Sequence, residues 1–374
     1  MYSRHLQVNI EKYLFQKYII VIYGARQVGK TTLIQQILEK FPNKTSTILN
    51  GDDADVREAL KPTSFQYLIS QTGTPDILVI DEAQRIENIG LVLKILHDNR
   101  PEMQIIATGS SSFDLANKIN EPLTGRSLEF VLHPLAVTEI AQNGIEMNRV
   151  KERFMLYGSY PNIYSSNGEI TKNLLKNLTN QYLYKDVLQF ETVQKPDIIH
   201  KLLKLLAYQI GSEVSLSELA NTLEVNKRTV AKYIDLLEKN FVIFQLSSYN
   251  KNLRKEVGKS TKIYFYDLGV RNQLIDNFTE LSLRPDLGAL WENFLIIERM
   301  KRNEYQQISS NNYFWRNYSQ QEIDYIEEKD GILNCYEFKW NDRKKAKLPN
   351  SFAAAYPNHT FQVINQDNWP EFVG

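Results

Sequence analysis

Short, wholly apolar runs alternate with stretches of helical period along the first part of the chain. Residues 18–23, 47–49, 77–80 and 104–107 read as strands, and 30–40 and 90–97 as helices. The strand-like runs are apolar throughout rather than alternating, the pattern of strands covered on both faces. Strand and helix in alternation predict a parallel sheet flanked by helices, one α/β domain over residues 1–140. Residues 141–208 read as helical, with a break between Gly158 and Pro161. Residues 214–246 carry a helix–turn–helix pattern followed by an apolar strand, and the charged stretch 250–262 reads as a hairpin tip closed by a strand at 263–266. After Pro285 a helix over 287–301 leads into strands around 313–315, 323–326 and 333–338, which predicts a separate C-terminal domain over 285–374.

Composition narrows the classes. The 374 residues are 43% hydrophobic and 24% charged, ordinary for a chain of two or three globular domains. Lys plus Arg and Asp plus Glu are 44 each, so the net charge is zero. A globally basic nucleic-acid binder is disfavoured, and any such contact must come from local patches. Cys335 is the one cysteine, which excludes an internal disulfide and a cysteine-rich zinc site. His5, His97, His133, His200 and His359 show no metal-ligand spacing. The apolar run at 18–23 is too short for a membrane span or signal core. A cytoplasmic protein with no membrane contact is the expectation.

Gly24, Ala25, Arg26, Gln27, Val28, Gly29, Lys30 and Thr31 fit the phosphate-binding pattern G-x-x-x-x-G-K-[ST], with a strand before and a helix after. The glycines let backbone N–H groups turn towards phosphate oxygens, and the helix, entered through Thr31 and Thr32, presents its positive end to the same group. Lys30 supplies a cation for the β- and γ-phosphates of ATP, and the Thr31 hydroxyl is a ligand for Mg²⁺. The run 77–80 ends in Asp81 and Glu82, two carboxylates at the carboxyl end of a buried strand, where open α/β sheets bind ligands. Asp81 is placed to hold the Mg²⁺ shell and Glu82 to orient the attacking water.

On these residues the chain resembles the AAA-type ATPases, and closely one prokaryotic family that joins an AAA core to a winged helix and a C-terminal restriction-endonuclease-like domain. The resemblance implies an α/β protein in three parts: the P-loop core, a helical lid (141–208) with a winged helix (209–268), and an α/β nuclease-like domain (285–374). It makes Thr108 and Ser110 candidates for contact with the γ-phosphate or the water; the alternative is a Ser/Thr-rich turn. It suggests Arg126, in Leu123-Thr-Gly-Arg126, as an arginine finger that reaches a neighbouring copy, which would make a homo-oligomer the active form; the alternative is an arginine at a helix end. The segment from Gly158 to Pro161 resembles a lid element used by some relatives.

In the helix–turn–helix, Ser217 can cap a first helix with Leu219, Ala220 and Leu223 inward, and Asn226 a second with Val230, Ile234 and Leu237 inward. Lys227, Arg228 and Lys232 then face outward, where DNA-binding examples meet the major groove. Lys251, Arg254, Lys255, Lys259 and Lys262 make the expected wing basic. A winged helix used only for packing is the other reading. Tyr249, Tyr264 and Phe265 read as hairpin core.

In the C-terminal part, Glu292, Asp324, Glu337 and Lys339 fill the positions of a nuclease-like site in the expected order. Glu337 and Lys339 are two apart and so share a strand face. Asp324 and Glu337 would hold Mg²⁺, with Lys339 positioning water or balancing charge. Trp340 stands where relatives often carry a small polar residue. Two whole-protein readings follow: an ATPase that binds or processes DNA, or an ATP-controlled assembly switch whose nuclease-like domain is catalytically degenerate.

Overall fold

In the computed structural model, strands β1 (Ile19–Tyr23), β2 (Ser46–Asn50), β3 (Ile77–Asp81), β4 (Gln104–Gly109) and β5 (Ser127–Val131) form one sheet in the order β2-β3-β4-β1-β5. Every pairing in it is parallel. The structure describes residues 2–61, 64–110, 119, 122–182, 196–250, 260–341 and 346–374. It divides into two compact units, Met1–Leu135 with Lys239–Phe241, and Ala136–Glu238 with Val242–Gly374.

In the first unit β1, β3 and β4 are buried along their whole length, as their unbroken apolar runs predict. The run at 47–49 behaves differently. β2 lies at the sheet edge, its residues alternate between exposed and half-buried, and Ile48 is 51% exposed. An apolar run therefore does not distinguish a central strand from an edge strand. The chain returns from β4 to the far side of β1 as β5, whose mix of polar and apolar residues does not stand out in the sequence. The helix Lys30–Glu39 buries Leu33, Ile34 and Ile37, and the helix Ile89–Asn99 buries Val92, Leu93 and Leu96, both at helical spacing.

The second unit holds a mixed seven-stranded sheet in the order β12-β11-β10-β9-β7-β8-β6. Its strands are β6 (Glu213–Val214), β7 (Ile243–Ser248), β8 (Thr261–Phe265), β9 (Asn311–Arg316), β10 (Glu322–Lys329), β11 (Ile332–Phe338) and β12 (His359–Ile364). The stretches expected as 209–268 and 285–374 share this sheet. β7 pairs with β9 through Ser247↔Tyr313 and Ser248↔Phe314, so one sheet runs through both stretches. Pairing of backbone edges depends on register between distant segments, which no local pattern announces.

The helix–turn–helix forms from Leu216–Thr222 and Lys227–Lys239. Ser215, not Ser217, caps the first helix by accepting from Glu218 N at 3.3 Å, while the Asn226 side chain accepts from Thr229 N at 2.8 Å as expected. Val230, Ile234 and Leu237 are buried, and Lys227, Arg228 and Lys232 are exposed. Lys251, Arg254, Lys255 and Lys259 lie outside the described residues. β10 and β11 form a hairpin whose turn residues, Asp330 and Gly331, both have positive φ (51° and 76°), between paired Lys329 and Ile332. An Asp-Gly pair supplies such a turn at low cost.

Gly158 ends the helix Gly144–Tyr157 with φ 82°, and the segment after it is tied down: Ser159 N donates to Asp267 Oδ2 at 2.7 Å. The element that resembles a lid is thus fastened inside the second unit. A Cβ on Gly269 would stand 2.0 Å from the Tyr157 carbonyl oxygen, whereas one on Gly288 would meet nothing within 4 Å. Gly269→Ala is expected to cost roughly 1–3 kcal/mol by overpacking. Thermal denaturation should show a lowered midpoint for Gly269→Ala and an unchanged one for Gly288→Ala.

Candidate functional site

The carboxyl edge of the first sheet collects the candidate nucleotide-site residues from three adjacent strands. The loop from Gly24 to Gly29 follows β1, Asp81 ends β3, and Thr108 lies in β4, opposite Ile22 in the register. The crossing from β1 to β2 over β3 and β4 opens the crevice in which open α/β sheets bind ligands. The loop needs its glycines. Gly24 has φ 154° and a Cβ there would lie 2.3 Å from Leu132 O; Gly29 has φ 100° at the head of the helix Lys30–Glu39. Lys30 is buried, and its ammonium donates to the carbonyls of Gly24 at 2.7 Å and Ala25 at 3.1 Å, which holds it over the loop.

The Thr31 hydroxyl donates to Asp81 Oδ2 at 2.8 Å. Two oxygen donors of the kind a hard cation takes thus stand side by side, so Thr31 and Asp81 fit Mg²⁺. Asp81 Oδ1 accepts from the Thr108 hydroxyl and from Glu82 N at 3.1 Å; Glu82 N also donates to Thr108 Oγ1 at 3.2 Å. Thr108 is fully buried and engaged on both sides. In this structure its hydroxyl bridges Asp81 and Glu82. Ser110 is held in a similar way: its hydroxyl accepts from Gln84 Nε2 at 2.9 Å.

Glu82 has φ 49° and ψ 41°, a left-handed conformation that costs energy for a residue with a Cβ and that surrounding structure must maintain. Gly51 permits it, since a Cβ there would lie 2.4 Å from Glu82 O. Gln84 Nε2 donates to Glu82 Oε2 at 2.6 Å, which aims the carboxylate. Gly51 and Gln84 were not singled out in the sequence, although Gln84 lies two residues beyond Glu82. Arg4 was also missed. Its guanidinium, 4% exposed, donates to Val28 O at 2.8 Å and His133 O at 2.6 Å and braces the phosphate loop from below. An isolated arginine in a polar segment gives no pattern to detect.

Arg126 is not brought to this site. Its carbonyl accepts from Ile19 N, at the opposite end of β1 from Gly24. The guanidinium grips Asp98 with both arms, at 2.7 and 3.2 Å, and this donation holds the Asp98 carboxyl below its ordinary range.

In the second unit the four C-terminal candidates do come together, with two additions. Glu292 lies on the helix Leu287–Tyr305, Asp324 on β10, Glu337 on β11 and Lys339 just beyond it. Asp324 Oδ2 accepts from Phe338 N at 2.7 Å, and Lys339 Nζ donates to Glu337 Oε1 at 2.6 Å. Burial first, then Glu292 and Glu337, push the Asp324 carboxyl well above the ordinary range. The additions come from β8. Lys262, expected on the exposed wing, is 3% exposed; its ammonium lies 2.9 Å from Glu292 Oε1 and also pairs with Glu322. The Tyr264 hydroxyl donates to Glu292. Burial opposes the charge on Lys262, yet Glu292, Glu322 and Asp324 raise its pKa above the ordinary lysine range. Lys262, Lys339, Tyr264 and the Phe338 amide already engage these carboxylates, so the donor set does not fit the expected Mg²⁺. Trp340 packs edge-on to Trp291, with ring centroids 5.3 Å apart.

Comparison with known proteins agrees with the fold. Residues 16–141 match the AAA domain family. Residues 149–281 and 287–370 match two domains of unknown function, DUF8612 and DUF4143. An uncharacterized protein of Mycobacterium tuberculosis is 28% identical over 341 residues, 90% of this chain and 73% of that protein. An uncharacterized protein of Methanocaldococcus jannaschii is 29% identical over 334 residues, 76% of this chain and 70% of that protein. Among solved structures, the Walker-type ATPase of Pyrococcus abyssi matches 74% of this chain and 96% of that chain, with a TM-score of 0.51 and 16% identity. Fold and match agree for this part: residues 16–141 have the AAA-type P-loop fold, and a mixed α/β region follows. Among the described residues no helix is long and apolar enough to cross a membrane.

Proposed function

We propose that the protein binds ATP with Mg²⁺ and hydrolyses it, Lys30 holding the phosphates, Thr31 and Asp81 the metal, and Glu82 the water. The observation that carries this reading is the connected set Thr31–Asp81–Glu82–Gln84: the two metal-binding oxygens meet, and the carboxylate beside them is aimed by an amide. A general base must be held in reach of the water it activates. Mg²⁺ would supply charge neutralisation on the phosphates. The test is ATP turnover with Mg²⁺ present and withheld. Tight ATP binding without Mg²⁺-dependent turnover would overturn it.

DNA is the partner this reading favours, through the second helix of the helix–turn–helix. Lys227, Arg228 and Lys232 stand exposed together on its early turns, although the whole chain is neutral. Neutralising all three is expected to weaken binding to duplex DNA and flatten its salt dependence, by about one unit of log–log slope per lost phosphate contact. Fluorescence anisotropy across a salt series measures this; unchanged affinity at low salt would return these side chains to a solvated helix face. DNA that raises ATP turnover would tie the two functions together.

A specific observation favours the second reading for the C-terminal region. Its carboxylates are already engaged by Lys262, Lys339, Tyr264 and a backbone amide. That is the arrangement of a degenerate nuclease-like module, serving interaction under control of the ATPase.

A further inference from the structure

We infer that Lys262 is a resident counter-cation that closes the Glu292–Asp324–Glu337 cluster to divalent metal ions. The inference rests on the second reading of the C-terminal region and not on ATP turnover. Its basis is where the ammonium lies. Lys262 projects from β8 and bridges Glu292 of the helix Leu287–Tyr305 to Glu322 of β10, two residues before Asp324. A buried ammonium with two carboxylates satisfies both the charge and the hydrogen-bonding capacity that a metal ion would otherwise meet. Tyr264, two residues along the same strand face, donates to the same Glu292 and uses a further lone pair. On the far side Lys339 occupies Glu337, and the backbone amide of Phe338 occupies Asp324.

Glu322, Asp324, Glu292 and Glu337 are four acids faced by Lys262 and Lys339, with Arg316 3.8 Å from Glu322 on its outer side. Removing Lys262 strips Glu292 of the ammonium 2.9 Å away and leaves more negative charge in the cluster, the condition that favours a divalent ion. The closure is carried by the hairpin strand β8, outside the Glu292, Asp324, Glu337 and Lys339 set. A structural salt bridge that merely fastened β8 to its neighbours would make a different prediction: its loss would lower stability and leave metal binding as it was.

The experiment is a manganese(II) titration of the full chain without nucleotide, followed by electron paramagnetic resonance. Wild type and Asp324→Asn should give the same isotherm, because the cluster takes no metal; the difference between them subtracts any ion bound at Thr31 and Asp81. Lys262→Met should gain a saturable site, at least about tenfold tighter than any residual binding by wild type, and Lys262→Met with Asp324→Asn should lose it again. Lys262→Gln repeats the measurement with a polar side chain, and circular dichroism confirms folding of each variant. Saturable binding in wild type that Asp324→Asn abolishes would overturn both the inference and the degenerate reading. A folded Lys262→Met or Lys262→Gln protein with no gain in metal binding would overturn the role of Lys262 alone.

Discussion

A Glu82→Gln protein is expected to bind ATP as tightly as the wild type and to turn it over about 10²–10⁴ times more slowly, the usual contribution of a positioned general base. Glutamine keeps the length and shape of the side chain but cannot accept a proton. The left-handed backbone at Glu82, the close approach of Gly51 and the amide of Gln84 fix where the group points, so the loss falls on the chemical step. Lys30→Ala is expected to act earlier. Lys30 is held over the loop by the carbonyls of Gly24 and Ala25, and without it the phosphates lose their direct cation. Calorimetric titration with ATP should then show binding abolished for Lys30→Ala and intact for Glu82→Gln, while phosphate release is lost in both. An equal loss of affinity in the two proteins would remove Glu82 from the role of base.

The parts of this site that were legible in the sequence are those whose spacing is local. Gly24 to Thr31 is one continuous loop, and Asp81 and Glu82 end one apolar strand. Their meeting needed only the parallel sheet that strand–helix alternation implies. Thr108 is a candidate from the motif alone, but its hydrogen bonds depend on a register, Ile22 opposite Thr108, that places its hydroxyl between Asp81 and Glu82. Gly51 and Arg4 act through tertiary contacts alone, and nothing in their neighbourhoods distinguishes them from a turn glycine and a surface arginine. Lys262 shows the same limit from the other side. A charged residue in a glycine-containing hairpin reads as solvated, yet β7 pairs with β9, and this carries the hairpin into the C-terminal sheet and its lysine into a cluster of carboxylates. The four candidates there were recognised from their order along the chain. What the order could not convey is that each acid already has a partner.

Arg126→Ala is expected to leave ATP affinity nearly unchanged and to lower turnover steeply, by up to about 10³–10⁵ if the guanidinium serves as an arginine finger. The geometry limits how it can do so. Arg126 joins β1 at Ile19, and the phosphate loop leaves β1 at its other end, so the five residues of the strand, at about 3.3 Å each, separate the two. Within one chain the guanidinium cannot reach the phosphates. Any action on the transferred group would therefore be on the nucleotide of a neighbouring copy, after release of the pair that Arg126 makes with Asp98. This arrangement makes a mixing experiment decisive. Lys30→Ala chains have no working nucleotide site but carry an intact Arg126; Arg126→Ala chains have the converse. Each alone should be nearly inactive, and an equimolar mixture should recover part of the wild-type rate, with the recovery rising with total protein concentration. Asp98→Asn, which loosens the resting pair without removing the finger, should keep turnover. A wild-type protein that sediments as a monomer at full activity, or a mixture no more active than its components, would assign Arg126 to the surface pair with Asp98 and nothing more.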